Sequence, residues 1–157
     1  METKFSKEIP AKLGKARNGL MLNYNIKETP MEEIERQWRL SHGGMEGEES
    51  SAPDAPFIAE HRWMYNEVRI PQGQWNYGGI INAIVRDHYT VDEMEAITNN
   101  MNVVVAEFFN VLVTDGIAQA IKYLLTSIKE YNMVDFKAMQ EWRAMAKREA
   151  RDVLKMY

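Results

Sequence analysis

The stretch TVDEMEAITNNMNVVVAEFFNVLVTDGIAQAIKYLLTSIKEY (Thr90–Tyr131) decides how this chain folds. It opens on Thr90-Val91-Asp92-Glu93, the form of a capping box. The threonine hydroxyl can accept from the N–H of Glu93, and the glutamate can reach back to the N–H of Thr90. Val91, Met94, Ile97, Met101, Val104, Val105, Phe108 and Leu112 then recur at helical spacing. Thr114-Asp115-Gly116 breaks and recaps the chain. Ile117, Ile121, Leu124, Leu125 and Ile128 form a second stripe up to Tyr131. Residues 132–135 turn the chain again. Phe136, Met139, Trp142, Met145, Ala146 and Val153, with Leu154 beside them, mark a third helix. Helices joined by such short turns pack as antiparallel neighbours. The expected fold is therefore mainly α, a C-terminal antiparallel helical bundle with an extended N-terminal arm and at most a short strand or hairpin.

Upstream the patterning weakens. Residues 1–19 hold five cations (Lys4, Lys7, Lys12, Lys15 and Arg17) against Glu2 and Glu8, with Pro10, Gly14 and Gly19 as breakers. This reads as a basic arm. Leu20, Leu22, Tyr24 and Ile26 alternate with Met21, Asn23, Asn25 and Lys27, the period of a short strand. Thr29-Pro30-Met31-Glu32 starts a helix that runs to Leu40, with Met31, Ile34 and Trp38 on one face. Residues 41–56 are acidic and without periodicity, and read as a linker. Residues 57–70 fit a short helix or a strand. Pro71–Gly79 is a loop, and Ile80–Asp87 a short helix. The divisions expected are an arm with a strand over 1–28, a helix over 29–40, an acidic linker over 41–57 and a helical domain over 58–157.

Composition narrows the chemistry. The chain has 157 residues, enough for a core of ordinary size, and a net charge of −4 gives no general attraction to nucleic acid or anionic membrane. With no cysteine, disulfides, thiolate metal sites and cysteine nucleophiles are excluded. The N-terminal residues contain no apolar run of the secretory type. The most apolar stretch, Met101–Val113, is interrupted by Asn102, Glu107 and Asn110, too short and polar to span a bilayer. No membrane partner is expected.

No catalytic, cofactor or metal site is legible, so an enzyme is not expected. His42, His61 and His88 stand in no metal-binding spacing, and His61 beside Glu60 or His88 beside Asp87 is better explained as an ordinary surface or capping histidine. Phosphate-binding glycine motifs are absent, and Gly78-Gly79 is more readily a turn than an anion cradle. Asp92 and Glu93 sit where a helix dipole favours acids, a better account than a carboxylate pair for catalysis. The side chains suited to contacts with macromolecules are Phe57, Trp63, Trp75 and Tyr77, the basic Lys4, Lys7, Lys12 and Arg17, and the acidic Glu46, Glu48 and Glu49. Arm and acidic segment could dock between copies of the chain. The arm has one aromatic residue, Phe5, so base stacking is not suggested from it, and nucleic acid at residues 1–19 is the less favoured partner.

Two stretches carry a resemblance. Tyr89-Thr90-Val91-Asp92-Glu93-Met94-Glu95-Ala96-Ile97-Thr98-Asn99-Asn100 and Phe136-Lys137-Ala138-Met139-Gln140-Glu141-Trp142-Arg143-Ala144-Met145-Ala146-Lys147 resemble segments in structural proteins of tailed bacteriophages. The nearest association is the tail and head–tail region of phages infecting Bacteroides, including the crAss-like group. The chain differs in carrying a long apolar helix pair, Met101–Tyr131, between the two stretches. The resemblance implies a virion structural protein, a ring, connector or tail-associated subunit made in the bacterial cytoplasm. Its partners would be copies of itself and other virion proteins, with no small-molecule substrate. The alternatives are a small phage-encoded binding protein that inhibits a host enzyme, and a packaging factor binding nucleic acid through the arm. The apolar stripes from Val91 to Val153 favour assembly, since they exceed what one chain of this length readily covers.

Overall fold

The computed structural model describes residues 3–41, 61–130 and 133–155. Its elements run β1 (Thr3–Ser6), β2 (Leu13–Ala16), β3 (Gly19–Glu28), α1 (Met31–Ser41), β4 (Trp63–Pro71), α2 (Tyr77–His88), α3 (Val91–Asp115), α4 (Ile117–Glu130) and α5 (Met133–Lys155). The strands form one antiparallel sheet in the order β1-β4-β3-β2. The expectation of a mainly α fold is thereby corrected. The protein is mixed α and β, its strands gathered in the N-terminal half. The physical reason lies in the pairing. β1 and β2 are four residues each, too short to display a period, and β4 lies far along the chain from its partner β3.

The chain divides into two compact units, Met1–Ala83 with Glu149–Tyr157, and Ile84–Arg148. The division falls within α2 and within α5. In the first unit the register fixes which side chains share a sheet face. Leu22 lies opposite Val68, Tyr24 opposite Asn66, and Leu20 opposite Ile70, so these residues point one way. Leu22, Tyr24, Asn66 and Ile70 are all buried. Phe5, paired with Met64 on that same face, packs against Ile34 and Trp38 of α1. The buried polar Asn66 accepts a hydrogen bond at its Oδ1 from Asn25 Nδ2 at 3.2 Å. Asn25 sits at a bulge in β3 with φ of 53°. Its N–H donates to Glu149 Oε1 at 3.3 Å, and Glu149 also pairs with Lys12 at 2.6 Å. These bonds tie Lys12 of the basic segment and the bulge to the last turns of α5.

β2 and β3 are joined by a two-residue turn at Arg17-Asn18, with Asn18 at φ 62°. α2 begins earlier than its apolar pattern suggests. Asn76 caps it, accepting the Gly79 N–H on Oδ1 at 2.9 Å, so both glycines belong to the first turn rather than to a loop. Gly79 is required there by close approach, because a Cβ would stand 2.1 Å from the Gln74 carbonyl oxygen.

In the second unit α3 begins as its residues predict. Thr90 Oγ1 accepts the Glu93 N–H at 3.2 Å, and Glu93 Oε2 accepts the Thr90 N–H at 2.7 Å. Those bonds hold the Glu93 carboxyl below its usual range. α3 and α4 turn back on each other through Gly116 at φ 85° and are packed together. Val104, Ala120, Ser127, Met139 and Ala146 are buried in this unit.

Candidate interaction surface

An apolar residue occurs at every fourth position from Ile97 to Leu125: Ile97, Met101, Val105, Phe109, Val113, Ile117, Ile121 and Leu125. A helix turns about 100° per residue, so each four-residue step drifts about 40° around the axis. The row therefore cannot stay on one face. Ile97 and Met101 are half-buried, while Val105, Phe109 and Val113 are 40%, 58% and 84% exposed. The rising exposure follows the drift away from buried Val104. Beyond Gly116 the row continues on α4, where Ile117, Ile121 and Leu125 are 68%, 49% and 63% exposed. The stripe expected to line the interior of α4 is thus largely outside, and the inward face is made instead by Ala120 and Ser127. Ser127 satisfies its buried hydroxyl by donating to the Tyr123 carbonyl at 2.9 Å.

Two further observations mark the α3/α4 hairpin. A shallow groove of about 590 Å³ is lined by Val111, Asp115, Gln119, Lys122, Tyr123 and Thr126. Among the described residues Tyr123 Oη is buried without a hydrogen-bond partner, an arrangement that costs free energy until a partner is supplied. The charges also segregate. α3 holds five acids (Asp92, Glu93, Glu95, Glu107 and Asp115) and no Lys or Arg, whereas α4 holds Lys122 and Lys129 against Glu130. By length and composition α3 is long enough and apolar enough to cross a membrane, since the helix extends well beyond the Met101–Val113 stretch.

The aromatic supply is used differently. Trp142 of α5 stacks on His88, with ring centroids 4.2 Å apart, and donates from Nε1 to the Ile84 carbonyl at 3.2 Å. Tyr89 also meets the histidine edge-on, at 4.4 Å. Burial pushes the His88 imidazole below its usual value and the Tyr89 phenol above its own, the latter helped by Asp135. Among the described residues no three His, Asp or Glu side chains converge as metal ligands.

The residues picked from sequence as contact candidates are dispersed. Trp63 lies on β4, half-buried, and Trp75 is half-buried in the loop before α2. Tyr77 is the first residue of α2 and 40% exposed. Lys4 is paired with Glu67, and Lys12 with Glu149, so each is engaged within its own unit. Lys7 and Arg17 are exposed. Phe57, Glu46, Glu48 and Glu49, with all but the first residue of the acidic segment, lie outside the described residues. The exposed row on α3 and α4 was written in the sequence as a four-residue repeat. Its exposure was hidden because the same letters also satisfy a buried stripe. No family model, curated protein or solved structure matches this chain.

Proposed function

We propose that this protein is an assembly subunit that associates with further copies of itself through the exposed α3/α4 face. On the resemblance of Tyr89–Asn100 and Phe136–Lys147 to phage structural proteins, its setting is the virion of a tailed bacteriophage, as a ring, connector or tail-associated subunit. The observation that carries the self-association is the row Val105, Phe109, Val113, Ile117, Ile121 and Leu125, apolar and exposed across two adjoining helices. Contiguous exposed apolar surface of this kind marks interaction sites. Rows of side chains four residues apart are also the ridges by which helices interlock at about −50°.

A second copy suits this face better than other occupants. In a two-fold pairing the same surface of each copy meets the other, so the apolar rows of both copies are covered at once. A bilayer suits it less well. Asn99, Asn100, Asn102, Glu107 and Asn110 would enter hydrocarbon along with the apolar residues, and each is costly there.

Sedimentation equilibrium on the whole chain at tens of micromolar tests the reading. The expected result is a dimer or larger species that becomes monomeric when Phe109→Ser and Leu125→Ser are introduced together. A stable monomer of the unmodified chain overturns it, and co-flotation with lipid vesicles would assign α3 to membranes instead.

A further inference from the structure

Helix α5 carries six Lys or Arg and four acids, and the two signs are used differently. Asp135 lies in the first turn, where a carboxylate suits the helix dipole. Glu141 pairs with Lys137 at 3.8 Å, and Glu149 with Lys12 at 2.6 Å. That leaves Arg143, Lys147, Arg148, Arg151 and Lys155 against Asp152. All five cations are exposed, and none is held in an ion pair among the described residues. Arg143, Lys147, Arg151 and Lys155 stand four residues apart, a spacing at which like charges repel and destabilise a helix. Each step advances about 6 Å along the axis and about 40° around it. The row therefore winds over one side of the helix, about 18 Å long and about 120° wide, with Arg148 at the margin beside Lys155. Met139, Ala146, Ala150 and Val153 occupy the other side and are buried.

We propose that this face of α5 binds double-stranded DNA through the phosphate backbone, lying along the major groove without reading sequence. A row of such cations suits a polyanion, and a duplex offers one phosphate for about every 1.7 Å of its axis. The major groove is about 12 Å wide and admits a helix between its two phosphate walls. Arg143 on one margin, and Arg148 with Lys155 on the other, can then reach opposite walls. A flat anionic bilayer would meet only one line of this arc, and the apolar side that a surface helix inserts is already buried. An acidic protein suits the face less well, because protein interfaces are anchored by aromatic and apolar side chains. No aromatic side chain of α5 is exposed among the described residues, and the neutral residues beside the cations are Gln140 and Ala144. The same lack removes stacking on unpaired bases, which favours a duplex over a single strand. The net charge of −4 supplies no long-range pull, so the attraction is confined to this helix and is readily screened by salt.

The inference stands apart from the self-association, because none of these residues belongs to α3 or α4. Fluorescence anisotropy of the whole chain with labelled duplexes of about 20 base pairs, at about 50 mM salt, tests it. Binding is expected to be alike for unrelated sequences and to weaken steeply as salt is raised. Arg143→Gln, Lys147→Gln and Arg151→Gln together should weaken it at least about tenfold and flatten the salt dependence. These substitutions touch exposed side chains only, and circular dichroism establishes that the variant is folded. If it does not fold, Lys147→Gln alone must still weaken binding about two- to threefold. Lys15→Gln, Arg17→Gln and Lys27→Gln together change the net charge equally, at exposed positions away from α5, and should leave affinity within about threefold. No duplex binding by the unmodified chain overturns the inference, as does an equal loss in this second variant. So does binding of a single strand, poly-glutamate or phosphatidylglycerol vesicles as tight as that of the duplex. A monomeric chain that still binds the duplex would sink the self-association alone.

Discussion

The two units handle apolar side chains in opposite ways. In the sheet-bearing unit the pleat alternates side chains between two faces, so Leu22, Tyr24 and Ile70 share one face and are almost wholly buried, while Trp63 and Tyr65 on the other are half-buried beside charges. In the helical unit a four-residue repeat drifts around α3, and the same kind of side chain that begins half-buried at Ile97 ends 84% exposed at Val113. A period of two closes a face against one core. A period of four leads a row of side chains from the core to the surface. The first arrangement stabilises a chain on its own, and the second leaves surface for something else to cover.

Substitutions should separate these two uses of apolar residues. The largest effect is expected for Leu22→Ala or Ile70→Ala, each about 2–5 kcal/mol less stable in urea unfolding, because the cavity is enclosed. Val113→Ser, by contrast, should change the unfolding free energy of the dissociated chain by no more than about 0.5 kcal/mol while weakening association in sedimentation. A large loss for Val113→Ser in the dissociated chain would erase the contrast. Gly79→Ala comes next, at about 1–3 kcal/mol, because the new methyl meets the Gln74 carbonyl and the backbone must shift. Thr90→Ala should cost about 1 kcal/mol through loss of the α3 cap, measured in the same denaturation experiment.

The smallest effect concerns pH. His88, stacked on Trp142, has its folded-state pKa lowered from 6.5 chiefly by burial, with Asp87 and Glu93 opposing. A depressed folded value means that the unfolded chain takes up the proton first. The neutral ring's contribution is therefore present above 6.5 and lost as pH falls from there through the lower folded value. Thermal melts at pH about 7.5 and 5 should show a modest fall in midpoint that His88→Gln reduces. An unchanged slope in that variant would assign the effect elsewhere.

Much of the helical half was legible. The capping box at Thr90, the break at Gly116 and the inward residues Met139, Ala146 and Val153 of α5 are local signals, and each stands where the spacing puts it. The sheet was legible only at β3. In β4 the core face carries the polar Asn66, while Trp63 and Tyr65 lie on the outer face, so counting apolar residues scrambles the alternation. β1 was concealed within a segment whose charges suggested a solvated arm. The outer sheet surface could not be found by pattern at all, since Lys4 and Tyr65 become neighbours only through pairing.

What the residues settle by themselves is where α3 begins and where it gives way to α4, because capping and spacing act over three or four positions of one chain. They also settle that cysteine chemistry is excluded. Which strands pair, which side of α4 faces inward and which rings stand beside which cations were decided by tertiary structure. Hydrogen bonds between strands and the burial of one helix against another join residues whose separation along the chain leaves no local trace.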